Sequence, residues 1–229
     1  MSFSQDIFLA VDGVVFGYTH KQLQVLLIQQ KFGGKEDKWA LPGGFVRKEE
    51  TLDEAVLREI KEETGVKVNY FEQLYSFGDI NRDYRKRVVS VAYLALLNPK
   101  NYQLKADTDA KDAQWFSIDD IPKLAFDHNE IIEKGLKRLK AKINYQPIGF
   151  ELLSKEFPFS DLENLYQTIL GEKIDRRNFR KKILGFDILV ETDKMQSSKS
   201  GRPAKLFRFN QNKYKQLEQD GFHFEIKFA

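Results

Sequence analysis

The chain of 229 residues contains no cysteine. This absence excludes a disulfide scaffold, a cysteine nucleophile and a thiolate zinc site, and it is typical of a reducing compartment. Apolar runs such as residues 88–97 are too short to span a bilayer. The first twelve residues lack a basic segment followed by a long apolar stretch, so no signal peptide is expected. Together these absences predict a cytoplasmic protein with no membrane partner.

The composition is that of a folded protein, because 41% of the residues are hydrophobic and 13% are aromatic. The length suits one medium domain and one small domain. A net charge of +3 is too small to indicate a polyanionic partner by itself.

The charge is unevenly distributed. Residues 1–147 hold 22 basic and 22 acidic side chains, whereas residues 148–229 hold 15 and 12. Within residues 173–208 there are 11 basic and four acidic side chains. A solvated charged face is the ordinary explanation of such a run, but in a small domain it also suits an electrostatic footprint for a polyanion.

Two domains are predicted, over residues 1–147 and 148–229. The first has strand-like runs, one strong helix and a basic amphipathic helix over residues 127–142, after which Pro147 and Gly149 mark the boundary.

The second domain has the pattern helix, helix, strand, turn, strand. Ser160 and Glu163 have the spacing of a capping box, and Asp175 can cap the next helix. Residues 186–190 and 205–209 have the composition of strands. This order predicts a winged helix-turn-helix.

The most informative segment is an acidic helix, predicted over residues 52–64 from the capping box of Thr51 and Glu54 and from the glycine stop at Gly65. At about 100° per residue, three of its carboxylates share one arc with the apolar stripe. They are Glu59, Glu62 and Glu63. A solvated acidic face is the alternative, but like charges at a core margin repel one another, and a hard divalent cation such as Mg²⁺ would neutralise them.

This segment resembles the Nudix box, with every defining position filled: Gly44, Glu50, Arg58, Glu59, Ile60, Glu62, Glu63, Gly65 and Val66. The resemblance implies an α/β/α sandwich with a mixed sheet. It also implies Mg²⁺- or Mn²⁺-dependent attack of water on the diphosphate of a nucleoside diphosphate linked to another group. By the same resemblance Glu59, Glu62 and Glu63 are metal ligands, Glu50 completes the catalytic set, and Arg58 forms a structural salt bridge.

A second region resembles ADP-ribose pyrophosphatase-like Nudix proteins, which implies ligand-binding roles for Arg82, Asp83, Arg85 and Phe126. The planar guanidinium of Arg82 suits a phosphate. The alternatives are a solvated turn for the three charged residues and a core contact for Phe126, while His128 can cap the helix that follows.

In the second domain, the excess of basic side chains lies on one arc of its second helix and on the hairpin that follows. The predicted DNA-binding residues are Arg176, Arg177, Arg180, Lys181, Lys199, Arg202 and Lys205. A solvated helix on a structural appendage is the alternative.

Over nearly the whole chain, the order of domains resembles the NrtR-type Nudix-related transcriptional regulators. The resemblance implies a homodimeric repressor whose Nudix domain senses a nucleotide-sugar such as ADP-ribose, or a pentose sugar as in some relatives, and whose winged helix binds double-stranded operator DNA. The sensors of this group often have a degraded Nudix box, whereas this one is complete, so hydrolysis can persist. The competing hypothesis is an ADP-ribose pyrophosphatase with a structural or dimerising tail.

Overall fold

The structure is a computed structural model that describes residues 6–30, 38–105, 110–196 and 203–226. The chain divides into two compact units. One comprises Met1–Thr19 and Leu23–Arg138, and the other comprises His20–Gln22 and Leu139–Ala229. Among the residues described, no helix is both long and apolar enough to cross a membrane.

The first unit is built on a sheet with the strand order β3-β2-β1-β6-β5, in which β4 pairs with β1 and β7 pairs with β2. The strands are β1 (Phe8–Thr19), β2 (Gln22–Gln30), β3 (Trp39–Ala40), β4 (Gly43–Phe45), β5 (Tyr70–Phe77), β6 (Val88–Leu97) and β7 (Ala110–Ser117). The helices are α1 (Leu52–Thr64) and α2 (His128–Lys142). Because β1 runs parallel to β6 and antiparallel to β4, the sheet is mixed.

The two helices cover opposite faces of the sheet. Ile60 of α1 belongs to the same buried cluster as Val11 of β1. Gly135 of α2 approaches Val14, so closely that a Cβ atom at Gly135 would lie 3.1 Å from Val14 Cγ1. Odd and even residues of a strand point to opposite faces, so Val11 and Val14 face different helices. The predicted α/β/α sandwich is therefore confirmed.

Helix α1 has both of its predicted ends. The hydroxyl of Thr51 accepts a hydrogen bond from the backbone N–H of Glu54, and the Glu54 carboxylate accepts one from the backbone N–H of Thr51. Gly65 ends the helix with φ of 74°, a left-handed conformation that favours glycine. The residues between these caps therefore form one continuous helix that presents the acidic side chains.

The second unit is a winged helix-turn-helix, as predicted. Its elements are β8 (Phe157–Pro158), α3 (Phe159–Leu170), α4 (Arg176–Gly185), β9 (Leu189–Gln196), β10 (Ala204–Phe209) and α5 (Gln211–Gln219). The three strands form an antiparallel sheet with the order β8-β10-β9. The core is aromatic: the ring centroids of Phe150 and Phe209 lie 4.3 Å apart, and those of Tyr166 and Phe179 lie 4.8 Å apart.

Asp175 caps α4 as predicted, since its carboxylate accepts a hydrogen bond from the backbone N–H of Asn178 at 3.1 Å. The capping box predicted at Ser160 was wrong. The N-cap residue of α3 is Pro158, two residues before Ser160, and no side chain caps the helix. The ring of Pro158 fixes its φ at −71°, and the helix begins at Phe159. Ser160 thus lies inside the first turn.

The strand predicted from residue 186 begins only at Leu189. The reason is a turn after α4, in which the N–H of Asp187 donates to the carbonyl of Leu184 and Asp187 has φ of 55°. The strand can pair with β10 only after this turn is complete.

Candidate functional sites: an acidic cavity and a basic helix

A cavity of about 520 Å³ lies beside the N-terminal half of β1 and the inner face of α1. Its charged and aromatic lining comprises Asp12, Glu59, Glu63, Asp83, Arg47, Arg82, Arg85, Phe45, Phe126 and His128. All four residues predicted to bind a ligand are in this set, together with two of the three predicted metal ligands. The third, Glu62, lines a separate groove with Arg58.

The two glutamates of α1 that line the cavity, Glu59 and Glu63, lie against β4. Glu63 Oε2 accepts a hydrogen bond from the N–H of Gly43 at 2.9 Å, and Glu63 is 5% exposed. The carboxylate of Glu59 lies directly against Gly44, where a Cβ atom would overlap it. Burial raises the pKa of Glu59, so a cation at this position would stabilise the ionised form.

Arg58 joins the remaining acidic side chains. It donates two hydrogen bonds to Glu50, at 2.8 and 2.6 Å, and its Nη1 lies 2.6 Å from Glu59 and 3.3 Å from Glu62. These hydrogen bonds lower the pKa of Glu50 to about 2. Arg58 therefore forms the structural salt bridge expected of it and links Glu50 to Glu59 and Glu62, while the predicted role of Glu50 in catalysis stays a prediction.

The carboxylate oxygens of these side chains are ligands of the type that a hard cation prefers. In this structure, however, several of them are engaged in ion pairs with arginine. In the described part of the chain, no group of three acidic or histidine side chains is arranged to hold a metal ion. Glu62 instead pairs with Arg58 and with Arg47, whose Nη2 lies 3.4 Å away. Glu59 and Glu63 provide oxygen donors at the cavity wall, as Mg²⁺ and Mn²⁺ prefer.

A buried ion network forms one wall of the cavity. Arg82 donates to both oxygens of Asp127, at 2.9 and 2.7 Å, and to Asp12 at 3.1 Å. Ser90 donates to the same oxygen of Asp12 at 2.6 Å. Burial alone would raise the pKa of Asp12, but His128, Arg82 and Ser90 lower it to about 2. Arg82 therefore has two carboxylate partners already, and its contact with a phosphate stays a prediction.

His128 is the first residue of α2, but its ring points into the core. Its Nδ1 accepts a hydrogen bond from the N–H of Leu41 at 2.9 Å, and its Nε2 lies 3.4 Å from Asp12 Oδ1. Sequence analysis missed Asp12 altogether. The available signal was a lone carboxylate in the apolar run of β1, since a buried charge needs a partner.

The other predicted ligand residues form a polar and aromatic wall. Arg85 donates to both oxygens of Asp83, at 2.9 and 2.8 Å, and its guanidinium lies 5.3 Å from the centroid of the Phe126 ring. Phe126 has φ of 54°, which is rare for a bulky side chain. Such strained residues often occur at functional sites.

On the second unit, α4 carries its cations on the exposed side. Phe179 and Ile183 are its buried residues. Four of the predicted DNA-binding residues are exposed on this helix: Arg176, Arg177, Arg180 and Lys181. The arrangement gives α4 one basic arc beside an apolar arc, as a recognition helix requires.

The predicted hairpin cations are only partly described. Lys205 lies on β10 and pairs with Glu191 of β9. Lys199 and Arg202 lie outside the described residues, so their predicted roles are unchanged.

Both domains match known families. The NUDIX domain family matches residues 7–136, and a family described as the NrtR DNA-binding winged helix domain matches residues 149–209. The chain belongs to the NUDIX family and carries an NrtR winged helix domain.

Three relatives of this NUDIX protein are informative. It is 35% identical over 206 residues to the ADPR responsive transcriptional repressor NtrR of Acinetobacter baylyi, across 88% of this chain and 81% of that protein. It is 45% identical over 131 residues to the ADP-ribose pyrophosphatase of Methanocaldococcus jannaschii, across 56% and 73%. The structure of Shewanella oneidensis NrtR complexed with a 27mer DNA matches with a TM-score of 0.80 and 31% identity, across 96% and 99%.

Proposed function

We propose that this NUDIX protein is a transcriptional repressor that responds to ADP-ribose. The NUDIX domain binds ADP-ribose, and the winged helix binds double-stranded operator DNA. The observation that carries this proposal is the basic arc of α4 on a winged helix that follows a NUDIX cavity. The similarity to a DNA-bound NrtR over nearly the full length of both chains supports it.

In this proposal, each predicted ligand residue has a role in the cavity. Arg85 and Phe126 provide a guanidinium and a ring at one wall, where a polar ligand with a planar base can stack and hydrogen-bond. Asp83 orients Arg85 through two hydrogen bonds, and Arg82 pairs with Asp12, which also lines the cavity.

NUDIX hydrolases generally use divalent metal ions, and the oxygen donors of this cavity suit Mg²⁺ or Mn²⁺. Glu59 and Glu63 would hold the ion from the cavity wall, joined by Glu62 once that side chain leaves Arg58. A bound divalent cation neutralises phosphate charge and acidifies water.

Hydrolysis of ADP-ribose is a second candidate function. The specific observation in its favour is the intact set of four glutamates. Arg58 joins Glu50, Glu59 and Glu62 in one network, and the N–H of Gly43 holds Glu63. The 45% identity to an ADP-ribose pyrophosphatase supports it. The two functions are compatible, since a protein can bind a metabolite as its effector and also hydrolyse it.

Three further features are part of the proposal. The two domains divide at residues 147 and 148. The protein acts as a homodimer, because a two-fold symmetric pair of winged helices matches a palindromic operator. It works in the cytoplasm, where a bacterial-type operator is accessible.

The test is one titration of the full chain against a labelled duplex from the region upstream of its own gene. We expect specific binding, measured by fluorescence anisotropy at about 100–150 mM salt, because non-specific phosphate contacts weaken steeply at higher salt. ADP-ribose is expected to weaken this binding by about 5–150-fold, the usual range of allosteric coupling. Product analysis of the same tubes with Mg²⁺ reports AMP and ribose 5-phosphate if hydrolysis persists.

D-ribose and L-arabinose serve as controls for a pentose effector. If the duplex binds no better than an unrelated one, the repressor function is wrong. If a pentose releases the DNA and ADP-ribose does not, the effector has been misassigned. If no AMP forms, hydrolysis is excluded and the sensor function remains.

A further inference from the structure

Arg180 differs from the other cations of α4 in how it is held. Its guanidinium carbon lies 4.4 Å from the centroid of the Phe159 ring and 5.6 Å from that of Phe207. Phe159 begins α3 and Phe207 lies on β10, and both rings are buried. Arg180, on the recognition helix α4, thus packs against both the preceding helix α3 and the hairpin strand β10.

The contacts of Arg180 with the two rings do not use its N–H groups. In the part of the chain that the structure describes, no acceptor takes a hydrogen bond from this guanidinium. The side chain is nevertheless exposed. A planar guanidinium that packs against two rings and keeps its N–H groups available can pair with two acceptors at once.

The neighbouring cations lack this combination. Arg176 lies near the buried carboxylate of Glu163, with 3.9 Å between Nε and Oε2, and Lys205 is paired with Glu191. Burial raises the pKa of Glu163, and the charges of Arg176 and Arg180 both oppose that rise, so Arg180 also lies in the field of this carboxylate without a hydrogen bond to it. Arg177 and Lys181 are exposed and contact no ring or carboxylate among the described residues. Flexible, exposed cations of this kind suit contacts with DNA phosphates, because such contacts depend on charge and not on the orientation of the side chain.

We propose that Arg180 is the residue of α4 that determines base specificity, through a bidentate contact with guanine O6 and N7 in the major groove, and that Phe159 and Phe207 position it. Guanine is the base whose groove edge presents two adjacent acceptors to an arginine fork. Packing against the two phenylalanine rings restricts the guanidinium before DNA binds, so the side chain loses less conformational entropy on binding. The proposal rests on the DNA-binding function proposed above and adds the residue that selects the sequence.

The test is a selection from a pool of randomised duplexes with the full-length protein and two variants. Arg180→Gln and Arg177→Gln remove the same charge from the same helix. We expect wild type to enrich a motif that includes a guanine. Arg180→Gln should lose the preference for that guanine by about 5–150-fold, or change it to adenine, which glutamine pairs with. Arg177→Gln should keep the motif and weaken binding to all sequences alike.

A third variant tests whether the phenylalanine rings position Arg180. Phe159→Leu should reduce the same guanine preference while its melting temperature is followed separately. If Phe159→Leu does not fold, the two glutamine variants decide the question, because both are substitutions at exposed positions. Unchanged base preferences in Arg180→Gln would overturn the inference and leave the repressor function intact. A wild type that enriches no motif would overturn both.

Discussion

Replacing Arg82 with methionine is expected to lower the free energy of unfolding of the first unit by about 3–5 kcal/mol. The side chain of Arg82 is 5% exposed and that of Asp12 is 9% exposed, so the variant leaves a carboxylate in the interior without its cation. Asp127 loses both of its hydrogen bonds to the same guanidinium. The measurement is urea denaturation followed by tryptophan fluorescence, since both tryptophans, Trp39 and Trp115, belong to this unit.

Arg138→Met is the matched control in the same unit. Arg138 pairs with Glu72 at 3.3 Å, but its side chain is 39% exposed, so the expected loss is below about 1 kcal/mol. Equal losses in the two variants would contradict the buried-network interpretation of Arg82.

The same buried network predicts how the stability of the first unit changes at acidic pH. The pKa of Asp12 is lowered from 3.8 to about 2 in the folded protein. Its stabilising contribution is therefore fully present above pH 4 and is lost as the pH falls toward 2, and the shift corresponds to about 2 kcal/mol. Arg82→Met should consequently show a smaller loss of stability between pH 4 and pH 2 than wild type does. A parallel pH dependence in both proteins would contradict this assignment.

Replacing Glu63 with glutamine is expected to weaken Mn²⁺ binding by at least about 100-fold. Substitutions that only orient a metal ligand already cost about 10–100-fold, and Glu63 is proposed to be a ligand itself. Glutamine keeps the shape and can still accept the hydrogen bond from Gly43, so the fold should persist. Isothermal titration calorimetry with Mn²⁺ measures the affinity directly, without a substrate.

Glu49→Gln is the control for the lost charge. Glu49 is exposed and lies in the loop before α1, next to Glu50. Its substitution should change the Mn²⁺ affinity by no more than a small factor, because exposed charges are screened. If the two variants lose affinity equally, Glu63 is not a ligand and the site lies elsewhere.

The fold was predictable where the determinants are local. Helix α1 is specified by adjacent residues, namely the Thr51 cap and the Gly65 stop, and its boundaries agree with the structure. The start of α3 was missed because its N-cap residue, Pro158, makes no side-chain hydrogen bond, so the sequence contains no cap to recognise there.

The buried network was not predictable because its members are far apart in the chain. Arg82 reaches Asp12 and Asp127 only after β1 and β6 have paired in register, and that pairing depends on the whole sheet. The same limit applies to Glu62. The helical arc groups it with Glu59 and Glu63, but Arg58 and Arg47 draw its carboxylate away from the cavity.

The contact between Gly44 and Glu59 has a consequence for natural variation. An alanine at this position would displace only the end of a flexible carboxylate, so the sheet and α1 could remain folded. In a pooled library of variants scored both for cellular abundance and for activity, position 44 should separate the two scores. Homologues with another residue in place of this glycine would then be well-expressed proteins in which the carboxylate of Glu59 is displaced. The residue at this one position would identify them in genome sequences.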